Sequence, residues 1–163
     1  LFKGTVEENL KMAKPDATKE EMEAVLQKVN LLGFLQTQDG LQTQLLEKAS
    51  NLSGGQCQRL VIARALLRTD SAVYIFDEAA SNIDVESEEL IMNVIHELAK
   101  TKTVLLISHR LANVVKSDKI YFLKDGEIKE SGKHDELMSQ NGAYRHLYES
   151  QMALENYGKG GVA

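Results

Sequence analysis

A short apolar segment that ends in two carboxylates constrains the fold of this chain more than any other stretch. Val73-Tyr74-Ile75-Phe76 is followed directly by Asp77 and Glu78. Four apolar residues in a row favour a strand that is buried in a parallel sheet. Such sheets bind ligands at the carboxyl ends of their strands, so the two acids should lie at a ligand site. One carboxylate can hold Mg²⁺ through water, and the other can polarise an attacking water.

A second apolar run has the same form. Thr103-Val104-Leu105-Leu106-Ile107 predicts another buried strand, and it ends at Ser108-His109. A histidine in that position can act in the site of the neighbouring strand, or it can be a surface residue that caps the next helix. Spacing alone leaves both interpretations open. His96, His134 and His146 have no such context and should be solvated.

A third feature is a pair of glycines where a helix is predicted to start. Ser53 has the position of an N-cap, and Gln56 stands three residues later, which is the spacing of a capping box. Gly54 and Gly55 cost conformational entropy there, but they allow a close approach to the backbone. A helix N-terminus offers unpaired N–H groups and a partial positive charge. The sequence therefore predicts an anion site, with phosphate as the natural ligand.

The other local patterns predict helices first, then strand, helix, strand, helix and hairpin. Thr18 and Glu21 form a second capping box, and the helix that follows should stop at Gly33. Residues 36–51 have the polar composition of a loop. Asp84 should cap a helix whose apolar stripe is Leu90, Ile91, Val94, Ile95 and Leu98.

The last part of the chain predicts a hairpin and two helices. Asp125-Gly126 is a strong hairpin turn between residues 119–124 and 127–130. A short helix should follow residue 132, and a final helix should cover residues 143–154. The whole pattern is half of an α/β fold with a helical insertion.

Composition excludes some classes of protein. No apolar run reaches 18 residues, so no membrane span is predicted. The net charge of −5 argues against nucleic acid as the main partner. The one cysteine, Cys57, permits no internal disulfide. A helix N-terminus can lower the pKa of a thiol, so Cys57 is either a reactive thiol or a filler at a tolerant position.

Four motifs in this order resemble those of the ATP-binding-cassette (ABC) ATPases. Residues 52–56 resemble the signature motif, and residues 73–78 resemble the Walker B strand with its catalytic glutamate. Residues 81–84 resemble the D-loop, and residues 108–110 resemble the switch histidine. The resemblance covers about residues 1–150.

The resemblance implies an α/β fold, namely a partial P-loop NTPase (RecA-like) core with the ABC helical subdomain. The helical subdomain, with the signature loop and its helix, is expected at residues 1–68. The C-terminal half of the ATPase core is expected at residues 69–155, and residues 156–163 should be a flexible tail.

The resemblance also implies ATP and Mg²⁺ as ligands and gives each site residue a role. Asp77 would hold Mg²⁺, Glu78 would be the general base, and His109 would contact the γ-phosphate. Asp84 would contact the nucleotide site of the opposite subunit. The γ-phosphate bound across the interface would be clamped by the signature residues Ser53, Gly54, Gly55 and Gln56.

The implied partners are a second nucleotide-binding domain, in a head-to-tail dimer, and the transmembrane domain of an exporter-type transporter. No nucleic acid is expected. The implied location is the cytoplasmic face of the cell membrane, where ATP hydrolysis would drive transport.

The phosphate-binding pattern G-x-x-x-x-G-K-[ST] does not occur in the 163 residues. The chain is therefore expected to be a C-terminal fragment of an ATPase domain, inactive alone and with apolar strand surface exposed. Two alternatives remain at this point. One is the C-terminal lobe of a DNA-repair or chromosome-structure ATPase of the same superfamily. The other is a non-catalytic fragment that lends its signature loop to a partner.

Overall fold

The fold comes from a computed structural model that describes residues 1–81 and 83–159, with side chains through residue 154. The chain divides into two compact units, Leu1–Ile107 and a second unit that begins at Ser108. None of the described helices is long and apolar enough to cross a membrane.

The first unit begins with small helices and one short antiparallel pair of strands. Its elements in chain order are β1 (Gly4–Thr5), α1 (Val6–Lys11), α2 (Lys19–Lys28), α3 (Leu32–Gln36), β2 (Gln44–Leu45) and α4 (Gly54–Leu66). Strand β1 pairs with β2, and α4 packs against α1 and α2. The core between these elements is apolar and includes Leu10, Leu26, Leu35, Leu45 and Leu60.

Capping boxes start α1, α2 and α4, as the sequence predicts for α2 and α4. The Thr18 side chain accepts the N–H of Glu21, and the Glu21 carboxylate accepts the N–H of Thr18. Thr5 and Glu8 make the same exchange at α1. Each exchange satisfies N–H groups that the helix leaves without partners.

The first unit ends with two parallel strands and the helix between them. Strand β3 (Val73–Asp77) pairs with β4 (Thr103–Ile107), and α5 (Val85–Ala99) connects them. Strand β4 has the predicted bounds, β3 extends one residue past the predicted apolar run to Asp77, and the parallel pairing is confirmed. On one face, buried Tyr74 and Phe76 join the core, and the Tyr74 hydroxyl donates to the Arg68 carbonyl at 2.6 Å.

The other face of the two strands is open, so the prediction of strands buried on both faces is wrong. The open face consists of Val73, Ile75, Leu105 and Ile107, with exposures of 55%, 66%, 49% and 43%. Ile75 pairs with Leu105 in the register, so the four side chains share one surface. An apolar run predicts a buried strand only where another layer covers it. The expectation of exposed apolar strand surface is confirmed.

The second unit contains a hairpin and two helices, β5 (Ile120–Lys124), β6 (Glu127–Gly132), α6 (His134–Ser139) and α7 (Ala143–Lys159). Asp125 and Gly126 have φ of 54° and 78°, as a two-residue hairpin turn requires. The Glu130 carboxylate accepts N–H groups at the start of α7, where Tyr144 is fully buried. An anionic acceptor at that end of a helix is favourable.

Other predicted boundaries also differ from the structure. Helix α2 ends at Lys28, and Gly33 lies inside α3 instead of stopping the helix. The predicted loop of residues 36–51 contains β2 and two short 3-10 helices. Helix α7 continues to Lys159, so residues 156–159 of the predicted tail are helical, and residues 160–163 lie outside the described residues.

The open face predicts self-association of the 163-residue chain. Exposed apolar patches favour association, so light scattering should show oligomers at micromolar concentration. Ile75→Lys should shift the chain toward monomer, because it places a charge in the middle of the patch. The control is Val85→Lys, which places the same charge at an exposed valine of α5 outside the two strands. A wild-type chain that is fully monomeric would contradict this prediction.

Candidate functional site

The signature segment forms the start of α4, with Ser53 as its N-cap. The Ser53 hydroxyl accepts the N–H of Gln56 at 3.1 Å, and the Gln56 side-chain carbonyl accepts the N–H of Ser53 at 2.9 Å. The Ser53 carbonyl accepts the N–H of Cys57 at 2.9 Å. The predicted capping box is therefore confirmed. Gly54 and Gly55 lie in the first turn of α4, where backbone N–H groups have no partner within the helix.

Gly55 is buried and lies in close contact with the first turn of α5. A Cβ atom at this position would come within 2.4 Å of the Ser87 hydroxyl and 2.9 Å of the Ser87 Cβ. It would lie 3.3 Å from a carboxylate oxygen of Asp84. The predicted close approach is thus made, at Gly55, by the chain's own α5. Gly54 is exposed.

Asp84 is the N-cap of α5, as predicted. Its carboxylate accepts the N–H of Ser87 at 2.8 Å. The hydrogen bonds from Ser87, together with the nearby positive charge of Arg59, lower the pKa of Asp84 below its ordinary value. A lowered pKa means that the cap stabilises the fold above the ordinary pKa, and that this contribution is lost as the pH falls through the folded-state value.

Arg59 connects the signature helix to the end of α2. Its guanidinium donates to the Gly55 carbonyl at 3.3 Å and to the Asn30 carbonyl at 3.0 Å. Asn30 has a φ of 52°, so it forms the left-handed end of α2. These two bonds link the first turn of α4 to the end of α2.

The two acids lie where the sequence predicts, at the carboxyl end of β3. Asp77 is the last residue of the strand and pairs with Ile107 in the register. Glu78 follows with a φ of 49°, a left-handed conformation that is uncommon outside glycine. Its N–H donates to the Ile107 carbonyl at 3.0 Å, and its carbonyl accepts the N–H of Ser81 at 3.0 Å. The chain therefore turns sharply at Glu78 while both carboxylates stay exposed.

The Asp77 side chain suits a magnesium ion. Mg²⁺ prefers oxygen ligands, keeps several waters, and often takes only one or two carboxylates beside substrate phosphates. An exposed aspartate at the end of a strand offers that kind of ligand and leaves room for the waters.

His109 belongs to the second unit, in the segment that directly follows β4. Its side chain is exposed. The Ser108 hydroxyl accepts the N–H of Arg110 and donates to the Arg110 carbonyl, both at 3.0 Å. The Gln151 side chain of α7 donates to the His109 carbonyl at 2.7 Å. This segment is therefore fixed by side chains on its own unit.

The structure brings some predicted site residues together. Gly55 of the signature and Asp84 of the D-loop segment meet at Ser87. Asp77 and Glu78 are adjacent at the end of β3. Their role in catalysis, and those of His109, Ser53, Gly54 and Gln56, stay predictions. Asn82, part of the D-loop resemblance, lies outside the described residues.

The predictions for the other histidines and for Cys57 need revision. His134 is partly buried, and its Nδ1 lies 2.8 Å from the Tyr144 hydroxyl, with the rings of Tyr144 and Tyr148 against it. His96 is also partly buried, whereas His146 is exposed as predicted. The Cys57 thiol lies 3.6 Å from the Ala49 carbonyl, and burial raises its pKa, which favours the filler over the reactive thiol.

Sequence reasoning missed Arg59, Ser87 and Gln151. Arg59 stands four residues after Gly55, the spacing that brings two positions together on a helix, so its contact with Gly55 could have been inferred. Ser87 stands three residues after an N-cap, which is the position that receives a capping bond. Gln151 had no local signal, because its partners lie about 40 residues away along the chain.

Comparison with known proteins decides the family. A family model described as "ABC transporter" matches residues 1–81. An uncharacterized ABC transporter ATP-binding protein of Haemophilus influenzae is 52% identical over 155 residues, which are 95% of this chain and 28% of that protein. The chain belongs to the ABC transporter family.

Two further relatives narrow the type of ABC protein. An ATP-dependent lipid A-core flippase of Mannheimia succiniciproducens is 44% identical over 153 residues, 93% of this chain and 26% of that protein. A solved structure of a bacterial Atm1-family ABC exporter with ATP bound has a TM-score of 0.84 at 30% identity, over 93% of this chain and 26% of that chain. The chain spans about a quarter of the length of these relatives. They favour an exporter-type ATP-binding domain over a DNA-repair or chromosome-structure ATPase.

The contact between Gly55 and α5 predicts that α4 does not tolerate a methyl group at this position. Gly55→Ala should lower the free energy of unfolding by about 1–3 kcal/mol, because overpacking forces buried Ser87 and the backbone to move. Urea titrations at low protein concentration, followed by circular dichroism, would measure the change.

The matched control is Gly33→Ala in α3, where an added Cβ meets nothing within 4 Å. This substitution should be neutral or stabilising, by up to about 1 kcal/mol. Adding Ser87→Gly to Gly55→Ala should recover part of the loss, since the two residues are in contact. Equal stability of Gly55→Ala and wild type would show that the contact carries no constraint.

Proposed function

We propose that this chain carries the signature loop, the Walker B acids and the switch histidine of an ATPase domain that powers export across a membrane. The observation that carries the proposal is the position of Asp77 and Glu78. They stand at the carboxyl edge of two parallel strands, with Glu78 held at a sharp turn by its N–H bond to Ile107. Ligand sites of α/β sheets are found at such edges.

The start of α4 is proposed to bind the γ-phosphate of ATP. The Ser53 hydroxyl has accepted one hydrogen bond and keeps a proton that it can donate. Gly54 is exposed, and the N–H groups of the first helical turn point toward an incoming anion. In a head-to-tail dimer these donors would face the nucleotide held by the other subunit, beside Asp84. The side-chain carbonyl of Gln56 closes the capping box, which leaves its amide N–H₂ to contact phosphate.

The proposed reaction is in-line attack of water on the γ-phosphate, which needs positioning and charge stabilisation. Glu78 would accept a proton from the attacking water as general base. His109 would donate a hydrogen bond to the γ-phosphate and keep the water in line with Glu78. Asp77 would hold Mg²⁺ through water, and the ion would neutralise charge on the phosphates.

The proposed partners are a second nucleotide-binding domain and the transmembrane domain of an exporter. The support is the family and the relatives, which include a lipid A-core flippase and an ABC exporter with ATP bound. Membrane association, with the ATP-binding domain at the cytoplasmic face, follows from the same likeness. ATP-driven opening and closing of the dimer would then drive transport.

The test is ATP hydrolysis by the full-length protein that contains this chain, compared with its Glu78→Gln variant. Loss of a general base should lower kcat at least about a hundred-fold, and the variant should still dimerise with ATP, because the amide keeps the shape of the side chain. Radiolabelled phosphate release and size-exclusion chromatography with ATP would measure the two effects.

Two controls accompany this measurement. Glu86→Gln makes the same change at an exposed glutamate in the first turn of α5 and should leave kcat unchanged. The isolated 163-residue chain should neither bind ATP tightly nor hydrolyse it, since its sequence has no G-x-x-x-x-G-K-[ST] pattern. If Glu78→Gln and wild type hydrolyse ATP equally well, Glu78 is not the base.

A further inference from the structure

The loop that carries His109 is clamped by one side chain from α7. The Gln151 Nε2 donates to the His109 carbonyl at 2.7 Å, and its Oε1 accepts the N–H of Leu111 at 2.9 Å. The two bonds reach the backbone on both sides of Arg110.

The polarity of this clamp is fixed by its partners. A carbonyl needs a donor and an N–H needs an acceptor, so only one orientation of the Gln151 amide satisfies both. Together with the two bonds between Ser108 and Arg110, the clamp holds the backbone of the whole turn. The direction of the bond from Cα to Cβ of His109 is set by that backbone.

The helix that supplies the clamp is itself well anchored within the second unit. The Glu130 carboxylate accepts the N–H of Tyr144 at 3.3 Å, and the Tyr144 side chain is fully buried against α6 and the hairpin. Leu111, at the other end of the clamp, is also buried. Side chains in reactive geometry need support from rigid elements, because small displacements cost rate.

We infer that Gln151 is a positioning residue for His109, and that it acts on hydrolysis by aiming the histidine ring rather than by touching ATP. The inference rests on the proposed function, in which His109 contacts the γ-phosphate. Helix α7 would then affect the rate of ATP hydrolysis indirectly, through the position of His109.

The test compares two substitutions in the full-length protein that contains this chain. Gln151→Leu removes both bonds. Gln151→Glu keeps an acceptor for the N–H of Leu111 but sets a carboxylate against the His109 carbonyl. Protonation of the introduced carboxyl restores a donor, so this variant is repaired by lowering the pH. Gln140→Glu makes the same change at an exposed side chain and serves as the control.

Both Gln151 variants should show kcat lower by about ten-fold at pH 8, the scale of one or two lost hydrogen bonds. KM for ATP should stay within about two-fold of wild type, since the bound substrate keeps its other contacts. Relative to wild type, kcat of Gln151→Glu should rise as the pH falls below about 5, toward the ordinary glutamate pKa of about 4.3, while kcat of Gln151→Leu should not. Gln140→Glu should match wild type throughout.

Other outcomes overturn the inference. Wild-type kcat in both Gln151 variants would show that the clamp has no part in hydrolysis. The inference would also fail if the fall in kcat were proportional to the loss of thermal stability and Gln151→Glu did not recover at lower pH. The Gln151 hydrogen bonds would then only stabilise the fold. If the wild-type protein itself hydrolyses no ATP, the proposed function fails and the inference fails with it, a result distinct from active wild type with unaffected variants.

Discussion

The parallel pairing of β3 with β4 is the constraint on which the rest of the site depends. It sets Asp77 opposite Ile107 and lets the Ile107 carbonyl accept the N–H of Glu78. That bond forms at the point where the chain turns through a left-handed conformation, so the acid that we propose as the base has a fixed backbone. Strand β4, whose Ile107 carbonyl accepts this bond, is followed directly in the chain by Ser108 and His109. One pairing thus fixes the backbone of both acids at the end of β3.

The contact between Gly55 and α5 is a second constraint, and it connects motifs that lie apart in sequence. Gly55 belongs to the helix whose N-terminus we propose as the phosphate site, and Asp84 caps the helix that contacts it. Helix α5 also packs against β4. A displacement of α5 would therefore also displace the signature segment and β4. In the dimer that we propose, this contact would let the signature loop and the start of α5 move together.

Much of the fold was predictable because its signals are local. The capping boxes at Ser53 and Thr18 need only a residue and its neighbour three positions later, and the Asp125-Gly126 turn needs two residues. The apolar runs of β3 and β4 predict burial, but burial depends on what covers a strand and not on the strand's own residues. The exposed strand surface was expected only because the sequence has no phosphate-binding pattern.

Contacts between residues that are far apart in the sequence could not be predicted either. Gln151 is about 40 residues from the loop it clamps, and nothing in the residues around it indicates an amide with two backbone partners. Ser87 was missed as the neighbour of Gly55, because close packing of two helices leaves no periodic pattern. In contrast, the positions of Asp77, Glu78 and Asp84 at the ends of their elements followed from the order of apolar and acidic residues.

A structure of the full-length protein with the Glu78→Gln substitution, determined with MgATP, would test the proposed site directly. The proposed function predicts a dimer in which the Ser53 hydroxyl lies about 2.7–3.2 Å from the γ-phosphate held by the other subunit. It also predicts that Asp77 of that other subunit lies beside the ion and that the His109 ring of the same subunit contacts the same phosphate. An ATP-bound dimer in which the start of α4 faces solvent, with no phosphate near Ser53, would contradict it.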